Sequence, residues 1–290
     1  MADIKPAAKN PTSPKAKNSS NIVSILAPIV CIIAGYLIWR FYFGASSNFS
    51  DKLPINKTQG FWPTRENPNA DSVFAKMYLG GIIVPILIGT FLTMITFAVE
   101  RFFAVIKASG SGNPKNFVRK VQMHLANKNI DAAIAECDKQ KGSVGNVMRA
   151  GLNRYKELIN NNELSTDQKV LAIQKEVEEA TALELPMLEK NLVFLSTIAS
   201  IATLLGLLGT VLGMIRSFSA LGEDSGGGGA AASKLSVGIS EALYNTALGI
   251  GTSAFAIVFY NIFTTKIDAI TYGIDESGFT LTQSFASQYK

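Results

Sequence analysis

Residues 191–218, NLVFLSTIASIATLLGLLGTVLGMIRSF, are the stretch that decides the fold of this chain. No charged residue lies between Lys190 and Arg216, so the run is long enough to cross a bilayer, which takes roughly 20 apolar residues. Small residues recur in it at steps of three and four, which places them on one face of a helix. The sequence therefore predicts a membrane helix with one small, faintly polar face, formed by Ala199, Thr203, Gly206, Thr210, Gly213 and Ser217.

A second run, residues 237–264 (VGISEALYNTALGIGTSAFAIVFYNIFT), repeats this pattern. Small stripes let two helix backbones approach closely in lipid, where packing drives association. Under that interpretation Gly206, Gly213 and Gly249 serve helix packing. The alternative is a polar lining around a path or a partner helix, and the spacing does not decide between the two. The second stripe consists of Ala242, Thr246, Gly249, Ser253, Ala256 and Tyr260.

The composition indicates a membrane protein, since 48% of the 290 residues are hydrophobic, 17% are charged and the mean hydropathy is +0.22. Cys31 lies in an apolar run and Cys137 in a polar one, so the two cysteines are not expected to pair. With one histidine and no HExxH, CxxC or GxxxxGK[ST] motif, the sequence offers no metal site, phosphate loop or catalytic constellation. The basic residues behind the net charge of +5 are dispersed, which favours membrane topology over nucleic-acid binding. We expect no cofactor and no enzymatic activity.

Two further apolar runs, 22–43 and 78–106, bring the number of candidate spans to four. Between the second and third spans, apolar residues recur at helical spacing without strand alternation. The sequence thus predicts an all-α integral membrane protein with four transmembrane helices and a helical cytoplasmic region. In order, we expect a disordered tail at 1–20, transmembrane helix 1 at 21–44, an external loop at 45–77, helix 2 at 78–106, the helical region at 107–188, helix 3 at 189–218, a Gly-rich external loop at 219–236, helix 4 at 237–265 and a cytoplasmic C-terminal tail at 266–290.

Basic residues near the spans set the orientation of the chain. The N-terminal tail carries four lysines and one aspartate and is predicted to stay inside. Four spans then return the C-terminus to the same side, which gives an N-in/C-in topology. The region 107–188 falls inside as well, and basic residues crowd its membrane edge, namely Arg101, Lys107, Lys115, Arg119 and Lys120.

Three segments carry motifs of one kind: GLLGTVLGM at 206–214, SEALYNTALG at 240–249 and NIDAAIAECDKQKGSVGNVMRAGLNRYK at 129–156. Together they resemble the MotA/TolQ/ExbB proton channel family, and its TolQ/ExbB branch most closely. The resemblance covers about residues 115–265 and is most specific in the first segment. The order of one span, a helical cytoplasmic region and two spans joined by a short external loop also fits, and the helix at 21–44 is additional to it.

The resemblance implies a pentameric homo-oligomer in the bacterial inner membrane, with the external loops in the periplasm. It implies an ExbB/TolQ-like subunit of a proton-driven motor, which couples proton flow to work on the envelope or to outer-membrane transport. The striped helices would face a dimeric ExbD/TolR-like single-span partner, and a TonB/TolA-like energy transducer is a further candidate partner. The family's pore threonines match Thr210 and Thr246, and its membrane glutamate matches Glu241. Thr203 stands where the family has proline, so no kink is assumed there.

Glu241 also stands out on physical grounds. An ionised carboxylate deep in a span costs about 2.5–3.5 kcal/mol on insertion scales, and less near a helix end. Asn245 lies one turn below Glu241 on the same face, and Gly238 and Thr252 extend this second polar line. That is more polarity than packing requires. We therefore predict that Glu241 lies in the proton pathway or at the interface, and that the pathway includes Thr203, Thr210, Asn245 and Thr246.

The striped faces carry no acid at mid-membrane, and a threonine hydroxyl neither releases its proton nor takes up a second one at neutral pH. A proton relay therefore needs an acid from another chain, and the resemblance supplies one in the partner's transmembrane aspartate. Two alternatives remain open from the sequence. In the first alternative, the chain is a passive scaffold assembled through small-residue packing. In the second, it is a flagellar or gliding-type stator subunit.

Overall fold

The computed structural model describes residues 19–49, 72–159, 163–223 and 228–289. Every regular element in these ranges is a helix, which confirms the all-α prediction. Four described segments are long and apolar enough to cross a membrane, as expected. The elements are α1 (Ser19–Leu37), continued by a π-helix (Ile38–Phe43) and a 3-10 turn (Ser46–Asn48), α2 (Val73–Leu79), α3 (Ile83–Ser109), α4 (Pro114–Ala126), α5 (Ile130–Gln140), α6 (Gly142–Ile159), α7 (Thr166–Glu189), α8 (Leu192–Glu223) and α9 (Gly228–Tyr289).

The additional first helix is attached to α3 and α2. A Cβ atom placed on Gly89 of α3 would lie 2.7 Å from Ile32 Cα, so the two backbones touch. At the π-helical end, the indole of Trp39 stacks on Tyr78 at 4.7 Å between ring centroids and donates a hydrogen bond to the Tyr78 carbonyl. These contacts hold α1 and its π-helical end against α3 and α2.

The helical run breaks at residues 190 and 191, between α7 and α8. Asn191 has φ +65°, a left-handed conformation that ends the helical run. Its side-chain amide donates to Glu100 of α3 at 3.2 Å. Arg101, 3% exposed, ion-pairs with Glu100 and donates to the Leu188 carbonyl at 3.2 Å. Buried polar contacts therefore fix the C-terminal end of α3 to the base of α8.

The C-terminal residues are part of α9, a helix of 62 residues, where the sequence predicted a tail at 266–290. This half of α9 packs against α4, α6 and α7, and together they form the extramembrane region. Gln288 donates to the Leu125 carbonyl of α4 at 2.6 Å and accepts a hydrogen bond from Tyr155 of α6 at 3.0 Å. The chain enters α9 as a membrane helix and leaves it as a core helix of this region, whose buried apolar side chains on α9 include Ile267, Ile270, Ile274, Leu281 and Phe285.

The predicted Gly-rich loop at 219–236 is also largely helical. α8 continues to Glu223 and α9 begins at Gly228, with 224–227 outside the described residues. The segment contains three consecutive alanines and no proline, and alanine has the highest helix propensity. The glycines therefore do not prevent helix formation here.

We expect Phe285→Ala to lower the free energy of unfolding of the extramembrane region by about 3–5 kcal/mol. Phe285 is fully buried and meets Tyr155 edge-on at 4.8 Å. Phe279, on the same helix and 69% exposed, provides the matched control, because Phe279→Ala removes the same group from the surface. Thermal unfolding of the purified chain measures both, and equal losses of stability would contradict the burial of α9 in this core.

Candidate functional site

The two small stripes face each other within one chain. A Cβ atom placed on Gly249 would lie 2.7 Å from Gly206 Cα, and one placed on Gly206 would lie 3.0 Å from Gly249 Cα. Further along the seam, a Cβ atom on Gly213 would lie 2.7 Å from the Cβ of Ala242. At these positions the seam between α8 and α9 depends on side chains no larger than hydrogen or methyl, and the three glycines assigned to packing all lie in it.

Thr210 and Thr246 meet at this seam. Their hydroxyl oxygens are hydrogen-bonded to each other, and both also lie within bonding distance of the Gly206 carbonyl, at 3.3 Å from Thr210 and 3.1 Å from Thr246. Two hydroxyl protons and these acceptors form a closed set, in which one threonine donates to the other and the second donates to the carbonyl. Both side chains are half-buried, so the pair lies at the edge of the seam.

A further polar group on the seam is also satisfied within the chain. Ser253 of α9 donates to the Ala199 carbonyl of α8 at 2.5 Å, which adds an interhelical bond about two turns along α9 from Thr246. Thr203, by contrast, is exposed, and the bond that its hydroxyl makes among the described residues is to the Ala199 carbonyl of its own helix, at 3.5 Å. The structure therefore brings Thr210 and Thr246 together and leaves Thr203 outside their hydrogen-bond set.

Asn245 lies on another side of α9. It is 1% exposed, its amide nitrogen donates to the Gly80 carbonyl in the turn between α2 and α3 at 3.2 Å, and its side chain packs against Gly209 of α8. Its amide oxygen is buried without a hydrogen-bond partner among the described residues. Asn245 thus connects α9 to the α2–α3 turn, on a face of α9 different from that of the threonine pair.

Glu241 lies on the same face of α9 as Asn245. It lies one turn toward the N-terminal end of α9, is half-buried, and has the Arg216 guanidinium within electrostatic range. Arg216 in turn rests on Gly81, whose φ of +78° suits glycine. The sequence missed the parts played by Arg216 and by the α2–α3 turn. The consecutive glycines at 80 and 81 were the one local signal of a close approach.

We expect Asn245→Ala to destabilise the chain by about 1 kcal/mol, because the Gly80 carbonyl loses its donor. Hydrogen exchange of the amides in the α2–α3 turn should increase at the same time. Asn261→Ala is the matched control, since Asn261 is an exposed asparagine of the same helix. Equal protection of the turn in both variants would show that Asn245 does not hold it.

Comparison with known proteins agrees with the sequence resemblance. Residues 139–276 match the model of the MotA/TolQ/ExbB proton channel family. A putative biopolymer transport protein ExbB-like 3 of Synechocystis sp. is 42% identical over 87 residues, which are 30% of this chain and 41% of that protein. The Tol-Pal system protein TolQ of Haemophilus influenzae is 37% identical over 110 residues, 37% of this chain and 43% of that protein. The corresponding TolQ of Pseudomonas aeruginosa is 28% identical over 170 residues, 53% of this chain and 72% of that protein. The match to the first two proteins spans less than half of their length.

Proposed function

Because residues 139–276 place this chain in the MotA/TolQ/ExbB proton channel family, on its TolQ/ExbB branch, we propose that it is the channel-forming subunit of a proton-driven motor in a bacterial inner membrane. The motor would couple proton flow to work on the envelope or to outer-membrane transport. One observation carries the proposal: the matched segment includes the contact between α8 and α9 at which Thr210 and Thr246 share a hydrogen bond. The proposal includes an N-in/C-in topology with the extramembrane region in the cytoplasm, and it assigns no cofactor and no catalytic residue.

The subunit is proposed to assemble into a homopentamer. The sides of α8 and α9 turned away from α3 expose many large apolar groups, which would otherwise all face lipid. Neighbouring copies can cover part of this surface, and the edge of the seam at Thr210 and Thr246 would then face the axis of the ring. The exposed apolar residues on the two helices include Leu204, Leu207, Val211, Ile215, Leu243, Ile250, Ile257 and Val258.

The proton path is proposed to combine the threonine hydroxyls with an acid from a partner chain. A hydroxyl can donate to one neighbour and accept from another, so Thr210 and Thr246 can exchange their mutual bond for bonds to water or to a carboxylate. Neither can carry the charge. An ExbD/TolR-like single-span protein inside the ring would supply a transmembrane aspartate for that step, with a TonB/TolA-like transducer as a further partner.

Glu241 is proposed to act at the outer end of the ring rather than beside the threonine pair. Within a subunit it shares the face of Asn245 and the charge of Arg216, and a nearby opposite charge lowers the cost of keeping a carboxylate at this depth. Thr203, which is exposed on α8, remains a candidate for the wall of the path nearer the other end of the helix.

A passive scaffold is the second candidate function. It is favoured by the finding that polar groups on the seam are hydrogen-bonded within the subunit, since Thr246 and Ser253 both bond to carbonyls of α8 in the same chain. In a scaffold these bonds would serve packing alone, and the subunit would conduct no protons.

Native mass spectrometry of the complex extracted in mild detergent tests the assembly. The proposal predicts a particle with five copies of this chain together with a small single-span protein whose helix carries an aspartate. Tandem dissociation of that particle should release the partner and leave the ring. A monomeric mass for the wild-type chain, with no associated membrane protein, would contradict the proposal.

A further inference from the structure

A cavity of about 910 Å³ lies at the C-terminal end of α3, away from the seam. Its walls come from α1, α3, the start of α6, the end of α7 and the α7–α8 junction. Ala27 and Phe97 line it within the apolar spans, whereas Lys107 and Lys141 line it at the polar end. Ten residues of α3 separate Phe97 from Lys107, about 15 Å along the helix. The cavity therefore straddles the boundary between hydrocarbon and water.

The charges around this cavity leave an unbalanced positive pole. Of its two acids, Glu100 is occupied by Arg101 and Asn191, and Glu184 accepts a hydrogen bond from Asn146 at 2.9 Å. Lys107 and Lys141 also line the cavity, and neither side chain takes part in an ion pair among the described residues. With Arg101 and Lys190, four basic residues line this space against the two acids, so its net charge is positive, and Lys107 and Lys141 come from different parts of the fold.

Two apolar side chains on the cavity wall are exposed. Ile106 and Met187, both on its wall, are 53% and 70% exposed. Ala27 lines the same cavity, so α1, α3 and α7 each contribute apolar groups to its wall. A ligand that matches both ends needs an anionic head and an aliphatic tail.

From this geometry we propose that the cavity binds an anionic phospholipid of the adjacent leaflet, with its phosphate between Lys107 and Lys141 and the start of an acyl chain along Ile106 and Met187. A lysine ammonium close to a lipid phosphate favours anionic over zwitterionic lipids. Because α1, α3, α6 and α7 all contribute walls, the bound lipid joins the additional first helix to the extramembrane region.

Titration of the delipidated full-length chain, followed by native mass spectrometry, tests the site with three probes: dioleoylphosphatidylglycerol, dioleoylphosphatidylcholine and glycerol 3-phosphate. We expect phosphatidylglycerol to bind at least tenfold more tightly than phosphatidylcholine, and glycerol 3-phosphate not to compete at the same concentration. The double variant Lys107→Gln/Lys141→Gln should bind phosphatidylglycerol about 30-fold more weakly, since each lysine near a headgroup is worth about a factor of five.

The control double variant is Lys115→Gln/Arg119→Gln, which removes the same charge from exposed positions of α4 outside the cavity and should bind as wild type. A second variant, Ala104→Phe, fills the cavity without changing charge and should also weaken binding. Equal affinity for the two lipids, unchanged affinity in both cavity variants, or competition by glycerol 3-phosphate as strong as that of the lipid would each overturn the phospholipid assignment.

Discussion

Replacing Thr210 or Thr246 with valine is expected to abolish proton flux through the assembled complex while leaving the ring and its partner in place. Valine has the shape of threonine without the hydroxyl, so the packing of α8 on α9 is largely conserved. The remaining threonine then loses its partner hydroxyl, and a hydrogen-bonding group left unsatisfied in this way costs about 1–3 kcal/mol. The membrane potential supplies about 2.3 kcal/mol per charge per 100 mV, so a barrier of that size is comparable with the free energy that drives the proton.

Three variants separate a role in the path from a role in packing. Thr197→Val makes the same change in an exposed threonine of α8 that bonds only to its own helix, and it should keep wild-type flux. Thr210→Ser retains the hydroxyl and should restore part of the flux. Glu241→Gln should be milder than either valine variant if Glu241 acts at the interface beside Arg216. Wild-type flux in both Thr210→Val and Thr246→Val would return the pair to a packing role.

Gly249→Ala is expected to disrupt the subunit itself. The added methyl would lie 2.5 Å from the Ala202 carbonyl oxygen and 2.7 Å from Gly206 Cα, both of them backbone atoms that cannot rotate away. The two helices would have to separate, and overpacking of this kind costs about 1–3 kcal/mol, with a larger cost for Gly249→Leu. Because the ring would be built from this pair of helices, loss of the oligomer should follow.

Gly251 provides the matched control two residues away. A Cβ atom placed there meets no described atom of the chain within 4 Å, so Gly251→Ala should be neutral or stabilise the helix by up to about 1 kcal/mol. Size-exclusion chromatography with thermal unfolding in detergent compares the two variants. A Gly249→Ala protein as stable as Gly251→Ala would mean that α8 and α9 do not pack as described.

The sequence predicted which residues lie on the small faces of α8 and α9, because a helical period assigns residues to faces. It could not tell which surface each face would meet, since a small stripe suits a neighbour in the same chain as well as one in another subunit. The structure pairs the stripes within the chain, through Gly206 and Gly249. The hydrogen bond between Thr210 and Thr246 follows from that pairing and was not predictable from either helix alone.

The surroundings of Glu241 and Asn245, in the second polar line, could not be predicted from the sequence. Helical spacing correctly places Glu241 and Asn245 on one face of α9, but their surroundings depend on the turn at Gly80 and Gly81, which is distant in sequence. The path of that turn depends on α2 (Val73–Leu79), a short helix that lies mostly in the segment predicted as an external loop at 45–77.

The sequence does contain a pattern that predicts the C-terminal half of α9, although a tail was predicted at 266–290. Ile267, Ile270, Ile274, Leu281 and Phe285 recur at helical spacing, and all of them are buried. The predicted span ends at residue 265, where the continuous apolar run ends, because charged and polar residues become frequent beyond it. A helix that leaves a membrane and enters a polar region keeps its apolar residues on one face only, so its period persists after the continuous run has ended.

Proton flux into vesicles that contain the purified complex tests the central claim most directly. With an imposed potential, vesicles holding this chain together with its single-span partner should acidify, whereas vesicles holding this chain alone, or the complex with the partner's transmembrane aspartate changed to asparagine, should not. Thr210→Val should match the asparagine variant. No flux through the intact wild-type complex, or equal flux with and without the partner's aspartate, would contradict the account of this chain as the channel-forming subunit of a proton-driven motor.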